Sequence, residues 1–149
     1  MENLTNHEDR MLALLNRISS LPMMSPPKES PISVPQAAML EMVARNPGCG
    51  VLDIAKRLNV TPPTISVGIS RLVKNGWLEQ RNDPNDRRAR PIFLTDTGVT
   101  LVDRMNCHRA DMLKQFLSGL TDDEKEQLIG LLDRAISALE NANPEDTTL

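Results

Sequence analysis

The chain has no tyrosine, and Trp77, Phe93 and Phe116 are the only aromatic residues among its 149. Sheet-rich folds lean on aromatic and β-branched side chains, so a core drawn from Leu, Ile, Val, Met and Ala points to helices. Cysteine is nearly as scarce: Cys49 and Cys107 are too few for a disulfide framework at this length. No run approaches the ~18 uninterrupted apolar residues of a membrane span. Glu2, Glu8 and Asp9 stand where a secretion signal needs a basic start and an apolar core. A soluble cytoplasmic protein with no membrane partner is expected. The constellations of enzyme chemistry are also missing: there is no nucleophile with its base, no paired carboxylate and no glycine-rich phosphate loop. His7 and His108 lie far apart, and the neighbours Cys107 and His108 diverge by about 100° on a helix, a poor chelate. No catalytic residue, cofactor or metal site is expected.

What is present fits one compact domain, with 40% hydrophobic and 25% charged residues. The net charge of −3 is unevenly spread. Residues 51–95 hold eight basic residues against four acidic, a local excess of four positive charges, whereas 96–149 hold five against eleven. A basic middle with an acidic end suits a module that faces phosphates on one side; an unevenly charged solvated surface explains the same numbers.

Periodicity fixes the elements. Thr5 and Glu8 have capping-box spacing ahead of Met11, Leu14, Leu15 and Ile18, predicting a first helix that ends near Pro22. Residues 22–31 carry four prolines and read as a linker. Ser33 and Gln36 open a second helix that Asn46-Pro47-Gly48 stops. A third helix places Val51, Ile54, Ala55 and Leu58 on one face. After a tight turn at Asn59-Val60, Thr61 and Pro62 start a fourth, with Ile65, Ile69, Leu72 and Val73 inward. Trp77–Arg81 and Ile92–Leu94 have strand character and flank an arginine-bearing tip, which makes a hairpin. A long helix to about Ser118 and another over 122–140, opened by Thr121 and Glu124, complete the chain.

Two short helices joined by Leu58-Asn59-Val60-Thr61 describe a helix-turn-helix, and the hairpin makes it winged. The outward face of the fourth helix carries Pro63, Thr64, Val67, Ser70, Arg71 and Lys74, with Thr61 at its start. A helix of this width enters the DNA major groove, where Thr64, Ser66 and Ser70 offer hydroxyls to base edges and the methyls of Thr64 and Val67 suit thymine. Arg57, Arg71 and Lys74 suit phosphates. An arginine-tipped hairpin suits the negative potential of a narrow minor groove.

The runs NVTPPTISVGISRLVKNGWLEQ and RNDPNDRRARPIFLTDTG resemble the multiple-antibiotic-resistance regulator (MarR) family of bacterial transcription factors. The family's wing carries a D-x-R element, here Asp86-Arg87-Arg88, and a strand ending in L-T-x-x-G, here Leu94-Thr95-Asp96-Thr97-Gly98. The resemblance spans roughly residues 33–140 and includes the last two helices. It implies a mainly α fold with a small β-hairpin wing: a winged helix-turn-helix module over 33–95, dimerisation helices in 1–32 and 96–141, and a flexible tail over 142–149. It further implies a homodimer with interleaved terminal helices on a palindromic double-stranded DNA operator. Arg88 is then the wing arginine of the minor groove, Asp86 holds the wing turn, and Arg87 and Arg90 neighbour the DNA. The apolar stripes of the terminal helices independently call for a partner.

The chain departs from the family at the proline-rich segment, which interrupts a first helix that is usually longer, and at Val67-Gly68, where a polar or basic residue is common. Gly68 itself costs a helix about 1 kcal/mol. Family members release DNA on binding small aromatic acids or on thiol oxidation. Cys49, at the start of the third helix, is the candidate redox residue if it is exposed and acidified there; Cys107 reads as a small hydrophobe. A small lipophilic or aromatic-acid effector would sit among the first, second and fifth helices. The competing reading is a winged-helix adaptor that contacts protein and no specific DNA; the net acidity favours it and the arginine wing opposes it.

Overall fold

The computed structural model of the chain describes residues 6–21, 25–27, 29–82 and 90–142. Among them, α1 (Asn6–Ser19) precedes α2 (Val34–Arg45), α3 (Val51–Leu58) and α4 (Pro62–Lys74). The hairpin β1 (Leu78–Gln80) and β2 (Ile92–Leu94) follows, and α5 (Asp96–Phe116) and α6 (Asp122–Ala142) close the order. Two of the helix starts match their local signal closely. At α2 the Ser33 amide donates to Gln36 Oε1 at 2.9 Å, so the glutamine side chain reaches back as a capping box requires. At α6 the box is reciprocal: the Thr121 amide donates to Glu124 Oε2 at 2.8 Å and the Glu124 amide to Thr121 Oγ1 at 3.3 Å. Thr5, expected to cap α1, lies outside the described residues.

One core holds α2–α5 and the hairpin together. Leu40, Ile54, Ile65, Leu72, Leu78 and Ile92, drawn from α2, α3, α4 and both strands, are fully buried. Leu101, Val102 and Met105 bring the first half of α5 into the same cluster. Such close-packed aliphatic burial stabilises by ~25 cal/mol per Å² removed from water, which fixes the helices as a unit.

The hairpin is antiparallel with Leu78 opposite Leu94, Glu79 opposite Phe93 and Gln80 opposite Ile92. The loop before α3 extends it. Gly48 donates its amide to the Ile92 carbonyl at 2.8 Å, and the Ile92 amide donates to the Cys49 carbonyl at 3.1 Å. Gly48 allows this because its φ of 83° lies where other residues are strained.

Outside that core the chain is differently built. Helices α1 and α6 bury no residue. Met11, Leu14 and Leu15 on α1, and Leu131, Ile136 and Leu139 on α6, stand about half or more exposed. At the far end of α5, Leu113 and Phe116 are exposed as well. No helix among the described residues is long and apolar enough to cross a membrane.

Candidate nucleic-acid interface

The turn between α3 and α4 rests on Asn59, which adopts the left-handed conformation at φ 51° while the Val60 amide bonds back to the Ala55 carbonyl at 3.0 Å. Asparagine tolerates that region better than most residues, so the α3–α4 angle is written into one side chain. Helix α4 buries Ile65, Ile69 and Leu72 against the core. Its other face is open to solvent: Thr61, Pro63, Thr64, Ser66, Val67, Ser70, Arg71 and Lys74 are all exposed.

The four hydroxyls on that face are not equivalent. Thr64 Oγ1 lies 2.8 Å from Thr61 Oγ1, and Ser70 donates its hydroxyl proton to the Ser66 carbonyl at 2.8 Å. Ser70 therefore meets an incoming group as an acceptor, whereas the Ser66 hydroxyl has no partner among the described residues. Arg71 and Lys74 occupy the last turn of α4, where their charge also complements the negative end of the helix dipole.

Gly68 sits mid-helix for a steric reason that spacing does not reveal. A Cβ at this position would stand 2.5 Å from both Sδ and Cε of Met39, so the thioether of α2 lies directly against the bare backbone of α4. Beside that contact runs an open groove of about 600 Å³, walled by Ser33, Gln36 and Met39 on one side and Thr64, Val67 and Arg71 on the other.

The base of the wing is braced. The Arg81 guanidinium lies 4.3 Å from the Phe93 ring centre and 2.5 Å from Glu79 Oε1, so Arg81, counted with the basic residues of the sequence, is held at the hairpin. Arg90 is exposed where the chain returns from the tip. Asp86, Arg87 and Arg88 lie outside the described residues.

The L-T-x-x-G element has a structural explanation. Thr95 caps α5 by accepting the Gly98 amide at 3.1 Å, and the hydroxyls of Thr95 and Thr97 each bond the Gly76 carbonyl at 2.6 Å. Gly98 leaves room for the Trp77 carbonyl, which a side chain would strike. The motif thus ties the start of α5 to the entry of the wing.

The reading of Cys49 is corrected. Cys49 is half-buried rather than exposed, because its backbone is pinned to β2. Burial, and next the Asp53 carboxylate, push its thiol above the ordinary range. A helix start therefore does not acidify it. Cys107, read as a small hydrophobe, is exposed on α5. Among the described residues no three His, Cys, Asp or Glu side chains gather as a metal site would need.

A trihelical module with a tight turn at Asn59, a solvent-facing fourth helix and a two-stranded wing is a winged helix-turn-helix. The sequence model of the MarR family matches residues 30–89. The HTH-type transcriptional regulator YkoM of Bacillus subtilis is 32% identical over 108 residues, which cover 72% of this chain and 70% of YkoM. Among solved structures, the PcaV transcriptional regulator of Streptomyces coelicolor in complex with its natural ligand is 27% identical, covers 94% of this chain and 100% of PcaV, and superposes with a TM-score of 0.59. A variant of S. aureus MepR bound to an oligodeoxyribonucleotide is 25% identical, with coverage of 92% and 99% and a TM-score of 0.62. The chain belongs to the MarR family of DNA-binding transcriptional regulators, and is not an enzyme.

Proposed function

We propose that the chain acts as a homodimeric repressor that presents two α4 helices and two wings to a palindromic operator and is released by a small effector. One observation carries the reading: α4 exposes its whole polar and basic face, while α1 and α6 expose apolar rows that none of the described residues covers. The first surface suits DNA and the second suits a second copy. The chain is then divided as its sequence suggests, with 33–95 reading DNA, 1–32 and 96–141 forming the dimer, and 142–149 a tail.

In this reading Thr61, Pro63, Thr64, Ser66, Val67 and Ser70 face the major groove, with Arg71 and Lys74 on phosphates. Arg88 enters the minor groove beside Arg87 and Arg90, and Asp86 holds the wing turn. An effector with an apolar body and an acid group suits the cavity of about 230 Å³ beside α5. Its wall is Pro27, Glu29, Ser30 and Pro31 of the linker with Leu101, Arg104 and Met105, rather than the α1–α2–α5 pocket implied by the resemblance. There the Ser30 hydroxyl is buried without a partner, and Arg104 supplies a cation that an acid group would share with the Glu29 carboxylate.

The test is fluorescence-anisotropy binding to duplexes from the upstream region of the chain's own gene, against shuffled duplexes of equal length, with Arg88→Ala beside wild type. Selective binding that the variant loses supports the reading. A verified dimer that binds neither duplex at low salt would overturn it in favour of the protein-contacting adaptor.

A further inference from the structure

Helix α5 belongs to two bodies at once. Its first half places Leu101, Val102 and Met105 in the core of the DNA-binding module, and its last turn exposes Leu113 and Phe116. Between these halves stands Arg109, whose guanidinium forms an ion pair with Glu41 of α2, 68 residues away in sequence. The pair is largely shielded, with 29% of the Arg109 side chain and 21% of Glu41 exposed. Glu41 bonds the guanidinium through Nη2, while Arg109 Nε is buried with no partner. Among the described residues it is the one salt bridge that joins different helices, since the others join residues two or three positions apart. It also sits where it has leverage. Glu41 lies on the helix whose Met39 rests against Gly68 of α4, so the same few residues of α2 touch both α5 and the recognition helix.

We infer that Glu41 and Arg109 are positioning residues that set the angle of the DNA-binding module on the dimerisation end of α5, and hence the separation of the two recognition helices. This rests on the dimer proposed above. A lone hydrophobic contact between helices tolerates sliding, whereas a shielded ion pair at the end of the packed region accepts one register, because a displaced charge would be left poorly solvated.

The experiment measures distances across the dimer by pulsed electron resonance, with a spin label on Ser66→Cys in a chain carrying Cys49→Ser and Cys107→Ser. The parent is expected to give one narrow distribution. Glu41→Gln and the milder Arg109→Lys are expected to broaden or shift it while light scattering still reports a dimer. The charge-swapped pair Glu41→Arg with Arg109→Glu is expected to narrow it again. Loss of fold stability alone would not reshape the distribution of the folded dimer. A folded, dimeric Glu41→Gln or Arg109→Lys chain with the parent's distribution would overturn the inference. A monomeric parent, which gives no inter-label distance, would instead overturn the dimer reading and this inference with it.

Discussion

A Cβ at Gly98 would stand 2.0 Å from the carbonyl oxygen of Trp77, so the first turn of α5 lies directly on the backbone that enters the wing. That carbonyl also accepts the Thr95 amide at 3.1 Å. The obstacle is main chain and already bonded, so no side chain can swing aside. Gly98→Ala is expected to destabilise the fold by about 3 kcal/mol or more in urea unfolding, the range of severe steric substitutions. A loss below about 1 kcal/mol would show that the junction yields easily.

The contact of Met39 with Gly68 behaves differently, because a thioether can move. Alanine at 68 gains about 1 kcal/mol of helix propensity but displaces Met39. The gain should appear undiminished only when Met39→Ala removes the obstacle. A double-mutant cycle is expected to give a coupling of at least about 0.5 kcal/mol between the two sites. Strict additivity would mean that the two helices do not meet as described.

The cysteines should separate by reactivity. Burial and Asp53 raise the Cys49 thiol, so its thiolate fraction at neutral pH is below that of a free cysteine, and Cys107 is exposed. Alkylation followed by mass spectrometry should label Cys107 first, with Cys49 gaining only as pH rises past the ordinary thiol range. Peroxide should leave DNA affinity unchanged. Faster labelling of Cys49 would restore it as a redox sensor.

At the start of α6, the Thr121 amide and then its hydroxyl hold the Glu124 carboxyl below the usual glutamate range. A depressed carboxyl stabilises the fold above its unfolded pKa, and that contribution is lost as pH falls through the folded one. Amide protection in the first turn of α6, corrected for the intrinsic exchange rate at each pH, should therefore fall on acidification below pH ~4. Glu124→Gln should flatten that dependence. An unaltered acid response in the variant would remove the cap from the explanation.

Much of this molecule is legible in its sequence because its signals are local. Ser33 with Gln36, Thr121 with Glu124, Asn59 at the turn and Gly76 after α4 each act within a few residues, and the periodicity of Ile65, Ile69 and Leu72 names the buried face of α4 directly. The misreadings and omissions are long-range. The burial of Cys49 comes from its pairing with Ile92, over forty residues on, and helix position alone suggested exposure. The reason for Gly68 lies on α2 and the reason for Gly98 lies on the residue after Gly76, so each glycine registered as a cost or a motif letter without its cause. The Glu41–Arg109 pair leaves no trace in spacing, since two charges on different helices resemble any solvated pair until the fold joins them.

The most direct test of DNA recognition through α4 is the salt dependence of binding to one operator duplex, with Lys74→Ala beside wild type. Phosphate neutralisation releases counterions, so log affinity should fall steeply and linearly with log salt, and the variant should lose about one unit of slope while keeping its sequence preference. A slope near zero for wild type, or a Lys74→Ala effect confined to a single base position, would contradict the assignment of this face to the DNA backbone.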